Sequence, residues 1–301
     1  SDIILMIGGR LDNQMNFGNP PFFLQTSKLI CINGSHEELQ YNRAADEVLL
    51  ADPGAFLAEL FKLDRSWDDW FLKQKDNRKQ WVDKWYSHIE EESIKDKKNN
   101  DKMHPLQLSL DVQTQLNEKD WLIFDGGNTH FWSEIAVNMA GWKGQKLGGI
   151  MHPGNYSLLG VGVSFAISAK AKNPNHNVVL ISGDGAFLSG GLSVEIAFQE
   201  GLPIIVIIDN NGGLDCISQQ QERLFDNGKH FATDFREIPF HKMFEGLGGY
   251  GELVQTREQL IPALKRAISS GKTSSLNVKC RGVISPIVAD TSDKRDKASI
   301  E

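Results

Sequence analysis

The sequence has 301 residues, 40% apolar and 24% charged, with a formal net charge of −7. That length gives room for two domains or one large α/β domain. The negative charge argues against a binder of nucleic-acid phosphates, and no apolar run reaches the roughly 20 residues of a membrane-spanning helix. Three cysteines, Cys31, Cys216 and Cys280, lie far apart with no CxxC pair. That disfavours a disulfide framework or a cysteine zinc site and fits a reducing cytoplasm.

The chain opens with Ser1-Asp2 running directly into apolar residues, without Met or a signal peptide, so a piece of something longer is expected. Residues 1–63 predict strands over 3–8, 29–33 and 48–51, then a helix over 53–63. Pro53 suits the first helical position and Asp52 the cap. Residues 66–104 predict a charged helical connector. Trp67, Trp70, Phe71, Trp81, Trp85 and Tyr86 are spaced for one helix face, packed on a domain surface. Its end, residues 90–102, predicts a solvated linker.

From 105 to 284 helices and strands alternate. Helices are expected over 105–116, 128–139, 158–171, 188–200, 241–247 and 257–269. Strands are expected over 121–124, 178–181, 204–208, 253–254 and 276–278. Gly271 suits a helix stop. The alternation predicts an α/β fold with a doubly wound, mostly parallel sheet. Residues 285–301 form a tail.

The most informative stretch is 178–213. An apolar strand ends in Gly183-Asp184-Gly185, and a second ends in Asp209-Asn210-Asn211. Unbroken Val/Ile runs suit strands covered on both faces, and their carboxyl ends are where ligands sit in parallel sheets. Gly183 and Gly185 let the backbone approach a ligand closely. Asp184 offers an anionic oxygen and Asn211 a neutral one. Two such oxygens and a backbone carbonyl suit Mg2+, which shares its other positions with phosphate and water. Taken alone, Gly-Asp-Gly is also an ordinary turn. Asp125-Gly126-Gly127-Asn128-Thr129 is a second strand-to-helix turn suited to phosphate oxygens. His152 and Asn155 lie in a loop before residues 157–162.

Gly-Asp-Gly followed after 24 residues by Asn-Asn resembles the motif of thiamine-diphosphate (ThDP) enzymes, Gly-Asp-Gly then about 25 residues then Asn-Asn. The resemblance is to the acetolactate synthase, 2-hydroxyacyl-CoA lyase and oxalyl-CoA decarboxylase type. It implies that Asp184, Asn211 and the Gly213 carbonyl hold Mg2+, with Gly183, Gly185 and Ala186 beside the cofactor. It implies that Gly126, Gly127, Asn128 and Thr129 bind its diphosphate. Leu159 takes the place of the wedge that bends the thiamine, and the Ser157 carbonyl accepts from its 4′-amino group. Leu214, Cys216 and Ile217 line the thiazolium side, on a loop over 212–225 that closes on substrate. His152 is a substrate-side candidate. An ordinary core leucine remains the alternative for Leu159, and a structural or solvated histidine for His152.

Residues 1–63 resemble the second half of the Rossmann-like middle domain of such enzymes, through Ile7-Gly8-Gly9-Arg10-Leu11-Asp12, Ser35-His36-Glu37-Glu38-Leu39 and Asn42-Arg43-Ala44-Ala45-Asp46. The family's pyrimidine-binding domain, which supplies a glutamate to the cofactor, has no counterpart here. A partner or upstream domain is therefore implied, as is a homodimer or tetramer. The expected activity is ThDP- and Mg2+-dependent C–C bond cleavage or formation on a small-molecule substrate, a 2-oxo acid or 2-hydroxyacyl compound. Acetolactate-synthase-like chemistry leads. The alternatives are a 2-hydroxyacyl-CoA lyase or a decarboxylase, toward which Gly-Asn-Thr leans, and a non-catalytic cofactor-binding or regulatory subunit. A dinucleotide-binding domain would require G-x-G-x-x-G, which is absent.

Overall fold

The computed structural model describes residues 2–12, 15–20, 23–63, 68–98, 102–154, 158–225, 230–286 and 288. The chain divides into two compact units, Ser1–Lys75 and Asp76–Glu301.

In the first unit, β1 (Ile3–Ile7), β2 (Lys28–Asn33) and β3 (Glu47–Leu50) form a parallel sheet in that order. Leu11, Phe23, Leu29, Cys31 and Leu39 are its small core. The Asn42–Asp46 segment has a structural explanation. The Arg43 guanidinium donates to the Gly18 and Ser27 carbonyls at 3.1 and 2.8 Å, and Asp46 accepts from the Leu29 N–H at 2.7 Å. Helix α1 (Pro53–Leu60) is capped by Asp52, whose carboxylate accepts from the Ala55 N–H at 2.8 Å. It ends three residues before the expected Leu63.

Helix α2 runs Asp68–Lys98. Trp81, Trp85 and Tyr86 pack with Ile89 against Leu106, Leu110, Trp132, Ile135 and Met139. Trp67 and the side chains of Trp70 and Phe71 lie outside the described residues. The solvated linker expected from residue 90 is instead helix through Lys98, and it is anchored. Glu92 and Asp96 are buried and both accept from Arg281, each at 2.6 Å. Charge density misled here because the partner is 185 residues away in sequence.

The second unit is built on six parallel strands. These are β4 (Trp121–Asp125), β5 (Gly149–Met151), β6 (Val178–Gly183), β7 (Ile205–Asn210), β8 (Tyr250–Val254) and β9 (Ser274–Lys279). They lie in the order β5-β4-β6-β7-β9-β8. Along β6, Val179 and Ile181 face one apolar layer, with Leu108, Val112, Leu260 and Leu264. Val178 and Leu180 face the other, with Val163, Ala166, Phe240 and Phe244. Both faces are covered, as the continuous apolar runs require. The chain leaves β4 outward to β5 and returns on its other side as β6. The sheet's switch point therefore falls between β4 and β6, where such folds open a ligand crevice.

Helices α3 (Pro105–Gln113), α4 (Asn128–Trp142), α5 (Gly162–Lys172), α9 (Phe240–Gly246) and α10 (Arg257–Ser270) cover the sheet. Three expectations need correction. The helix placed over 158–171 starts only at Gly162. Gly160 sits at φ +91, in the left-handed region, and Asp125 Oδ2 accepts from the N–H groups of both Gly160 and Gly162 at 2.9 and 2.7 Å. The helix placed over 188–200 starts four residues earlier and is broken into α6 (Asp184–Gly190) and α7 (Glu195–Gln199). The break falls at Gly190, whose φ of −141° and ψ of 0° leave the helical region, and where any Cβ would overlap the Gly160 carbonyl. The loop placed over 212–225 is mostly helix α8 (Asp215–Leu224), and β5 was not anticipated.

His104 caps α3 by accepting from the Leu106 N–H through Nδ1 at 3.1 Å. Burial first, then the Arg281 charge, holds its imidazole at about 3, down from 6.5. Glu92 is held at about 2: burial opposes this, but hydrogen bonds from Lys95 and Arg281 outweigh it. The unfolded histidine takes a proton near pH 6.5 and the folded one resists, so stability is full above 6.5 and falls as pH drops toward 3. The expected loss from His104 is roughly 3–5 kcal/mol at most. Denaturant titrations across this window should show a flatter slope for His104→Asn, which keeps a capping acceptor; an unchanged slope would contradict this assignment.

Candidate functional site

The carboxyl ends of β4, β6 and β7 border one cavity of about 310 Å³. From β4 come Gly126, Gly127, Asn128 and Thr129, opening α4. Gly126 needs to be glycine, because its φ is +138. Thr129 donates to the buried Asp209 at 2.8 Å, tying the α4 start to β7. Asn128 donates to Asp215 and Gln219 at 3.1 and 3.3 Å, and accepts from the Ser285 N–H at 3.0 Å.

From β6 come Gly183, Asp184, Gly185 and Ala186. Asp184 is 2% exposed. Its Oδ1 accepts from the Gly185 N–H at 2.7 Å, and its Oδ2 from the Gly212 and Gly213 N–H groups at 2.8 and 3.1 Å. One carboxylate thus joins the β6 end to the loop after β7. That loop carries Asn211, whose Oδ1 accepts from the Gly213 N–H at 3.2 Å, and then Leu214, Cys216 and Ile217 along the wall. Residues 233–235 clamp it through Leu214 N–H to Thr233 and Phe235 N–H to Gly212, both at 2.8 Å. Leu214 packs on Gly185, where a Cβ would collide with it.

Asp125, Asp184, Asp209 and Asp215 stand at these strand ends or just after them, and of these Asp184 and Asp215 border the cavity. Burial raises Asp125 and Asp215 above the usual carboxylate range. Burial raises Asp209 to about 6. Burial, joined by the charge of Asp209 and opposed by its N–H donors, raises Asp184 to about 7. Buried carboxylates crowded together in this way favour a cation or a proton among them. Hard oxygens and free N–H groups at the α4 start supply the donors for a metal ion and a diphosphate. The residues present therefore fit Mg2+ and thiamine diphosphate.

Leu159 lines the same cavity and is 37% exposed, which removes the ordinary core leucine as its explanation. Ser157 and Asn155 lie outside the described residues. His152 does not border the cavity; it stacks on Phe124 at 5.2 Å and tilts against His130 at 4.9 Å. Burial and the charge of Asp215 push the Cys216 thiol up, so it stays protonated. Sequence reasoning missed His130, Phe131 and Asp215, which also line the cavity. Only the turn to helix at Asn128 could have drawn notice to the first two. A larger cavity of about 510 Å³ lies among α2, α3, α4 and α10, and contains none of the strand-end residues. The chemistry, not the size, decides between them.

Residues 125–278 match the family described as thiamine pyrophosphate enzyme, C-terminal TPP binding domain. The chain belongs to this family. Thiamine pyrophosphate is thiamine diphosphate under another name, so the domain is of the ThDP-binding kind. The chain is 26% identical over 302 residues to mouse 2-hydroxyacyl-CoA lyase 1, covering 92% of this chain and 49% of the relative. It is 25% identical over 280 residues to bovine 2-hydroxyacyl-CoA lyase 2, covering 89% and 41%. A probable acetolactate synthase of Mycobacterium bovis matches at 27% over 177 residues, covering 58% and 31%. The chain thus spans about half the length, or less, of the curated relatives it matches. Among the described residues, no helix is long and apolar enough to cross a membrane.

Proposed function

We propose that this chain is the metal- and diphosphate-holding part of a ThDP-dependent enzyme that cleaves or forms C–C bonds, with a 2-hydroxyacyl-CoA or a related 2-hydroxyacyl compound as substrate. The observation that carries the reading is Asp184, which joins the ends of β6 and β7 across a cavity from the α4 start. Matches to the lyases extend over 92% and 89% of the chain, against 58% for the acetolactate synthase, which supports the lyase over the synthase. Acetolactate-synthase-like condensation of 2-oxo acids is the second reading. The intact Asp184–Asn211 pair argues against a purely regulatory subunit.

In this reading Asp184, Asn211 and the Gly213 carbonyl hold Mg2+. Main-chain N–H groups and the polar side chains of 126–129 hold the diphosphate. Bound ThDP supplies the C–C bond chemistry itself. Leu159, Leu214, Cys216 and Ile217 line the wall and exclude water. Consumption of a 2-hydroxyacyl-CoA and of pyruvate, measured side by side in the complete assembly with ThDP and Mg2+, tests the choice. C–C cleavage of the 2-hydroxyacyl-CoA, read as aldehyde release with the CoA thioester retained, without pyruvate condensation supports the lyase; the reverse result overturns it.

Leu159→Ala should lower turnover more than cofactor affinity, because the side chain shapes the cavity rather than gripping charge. Its exposure puts the stability cost below the 2–5 kcal/mol typical of a buried leucine, at about 1 kcal/mol. An unchanged rate at full cofactor occupancy would remove Leu159 from the site.

A further inference from the structure

Among the described residues, His130, Glu134 and His152 bring three ligand atoms within 4.8 Å of one another. None of them belongs to the oxygen set at Asp184 and Asn211. His130 and Glu134 stand four apart on α4, so they share one face of the helix, and His130 Nε2 lies 3.1 Å from Glu134 Oε1. His152 follows β5, which pairs with β4 and brings the loop beside the α4 start. Both imidazoles are held by stacking: His130 on Phe131 with rings 9° from parallel, His152 on Phe124 with rings 3° from parallel.

We propose that these three side chains form a second metal site, for Zn2+, beside the cofactor cavity that His130 borders. Two imidazoles and one carboxylate are a donor set that zinc takes up with a fourth position left for water or a substrate oxygen. Zinc–ligand distances of about 2.0–2.1 Å place neighbouring ligand atoms about 3.3 Å apart in a tetrahedron. The His130–Glu134 pair already stands near that spacing, and His152 closes the remainder by rotation. The rotation gives up one long hydrogen bond, from the Gly154 N–H to His152 Nδ1 at 3.2 Å, and turns the ring off its stack on Phe124, losses set against three metal–ligand bonds. Imidazole nitrogen selects zinc over Mg2+, which prefers oxygen. His130 borders the same cavity as Leu159 and Asp184. An ion held there stands where it can polarise a carbonyl or thioester oxygen of a bound substrate.

The test needs neither ThDP nor an assay of turnover, so it is independent of the proposed activity. The metal-stripped 301-residue chain is titrated with Zn2+, and separately with Co2+ as a spectroscopic probe, in excess Mg2+. One equivalent should bind at micromolar protein, and cobalt should show the visible absorption of a four- or five-coordinate ion. His130→Gln and His152→Gln, checked for folding by circular dichroism, should each lose at least about 100-fold in zinc affinity, the upper end of what outer-shell changes cost. Asp184→Asn should keep the zinc equivalent. No zinc binding by the wild type overturns the proposal, as does equal affinity in either folded histidine variant.

Discussion

The 301-residue chain by itself, given ThDP and Mg2+ in excess, is expected to show little or no C–C bond activity. Among the described residues, two carboxylates border the cavity, Asp184 and Asp215. Asp184 is engaged by three N–H donors and is the proposed metal ligand. Asp215 is engaged by the side-chain amides of Asn128 and Gln219 at 3.1 and 3.0 Å. Neither is available as the acid that the resemblance requires at the aminopyrimidine ring. A missing general acid or base costs on the order of 10²–10⁴-fold, and an unformed pocket wall adds a further loss of orientation. The measurement is consumption of 2-hydroxyacyl-CoA and of pyruvate, before and after adding a pyrimidine-binding partner. Turnover should appear with the partner. Robust turnover without it would contradict a site shared between two domains.

Asp184→Ala is expected to abolish Mg2+-dependent ThDP binding, by at least about 100-fold, since even outer-shell changes at metal sites cost 10–100-fold. The side chain does two things at once. It offers the anionic oxygen among the proposed metal ligands, and it fixes the 211–214 loop through Gly212 and Gly213. Alanine leaves the Gly185 and Gly212 N–H groups without their acceptor, each a penalty of roughly 1–3 kcal/mol where water cannot reach, while the Gly213 N–H keeps Asn211 Oδ1. Against this, it removes a carboxylate that burial has pushed up to about 7. The fold should therefore survive. Asp184→Asn separates the two roles: it keeps one acceptor oxygen for the loop while removing the charge. Circular dichroism and ThDP affinity measured on both variants decide the matter. Wild-type affinity in either would show that the metal is held elsewhere.

The strands were readable because β6 and β7 are continuous Val/Ile runs, and burial on both faces demands that composition. The strand-end residues were readable because glycine, Asp and Asn in those places have few other uses. What escaped reading depends on contacts distant in sequence. Nothing local marks Gly190 as the end of α6; it is the Gly160 carbonyl that leaves no room for a Cβ there. Residues 212–225 lack an apolar stripe for the core, so α8 read as loop, yet Asp215 and Gln219 on it meet Asn128. The charged run after residue 90 read as solvated because Arg281 could not be foreseen as its partner. His152 was singled out for its place before the Leu159 turn, but its neighbours are Phe124 and His130, and it does not border the cavity.

The central claim is that the ends of β4, β6 and β7 hold ThDP through a divalent ion. Calorimetric titration of ThDP into the chain, alone and with an added pyrimidine-binding domain, tests it most directly. Each titration is run with Mg2+, after metal removal, and with NAD in place of ThDP. The account predicts one equivalent of ThDP bound only when Mg2+ is present, and no binding of NAD. ThDP binding indifferent to Mg2+, or NAD binding in its place, would contradict it.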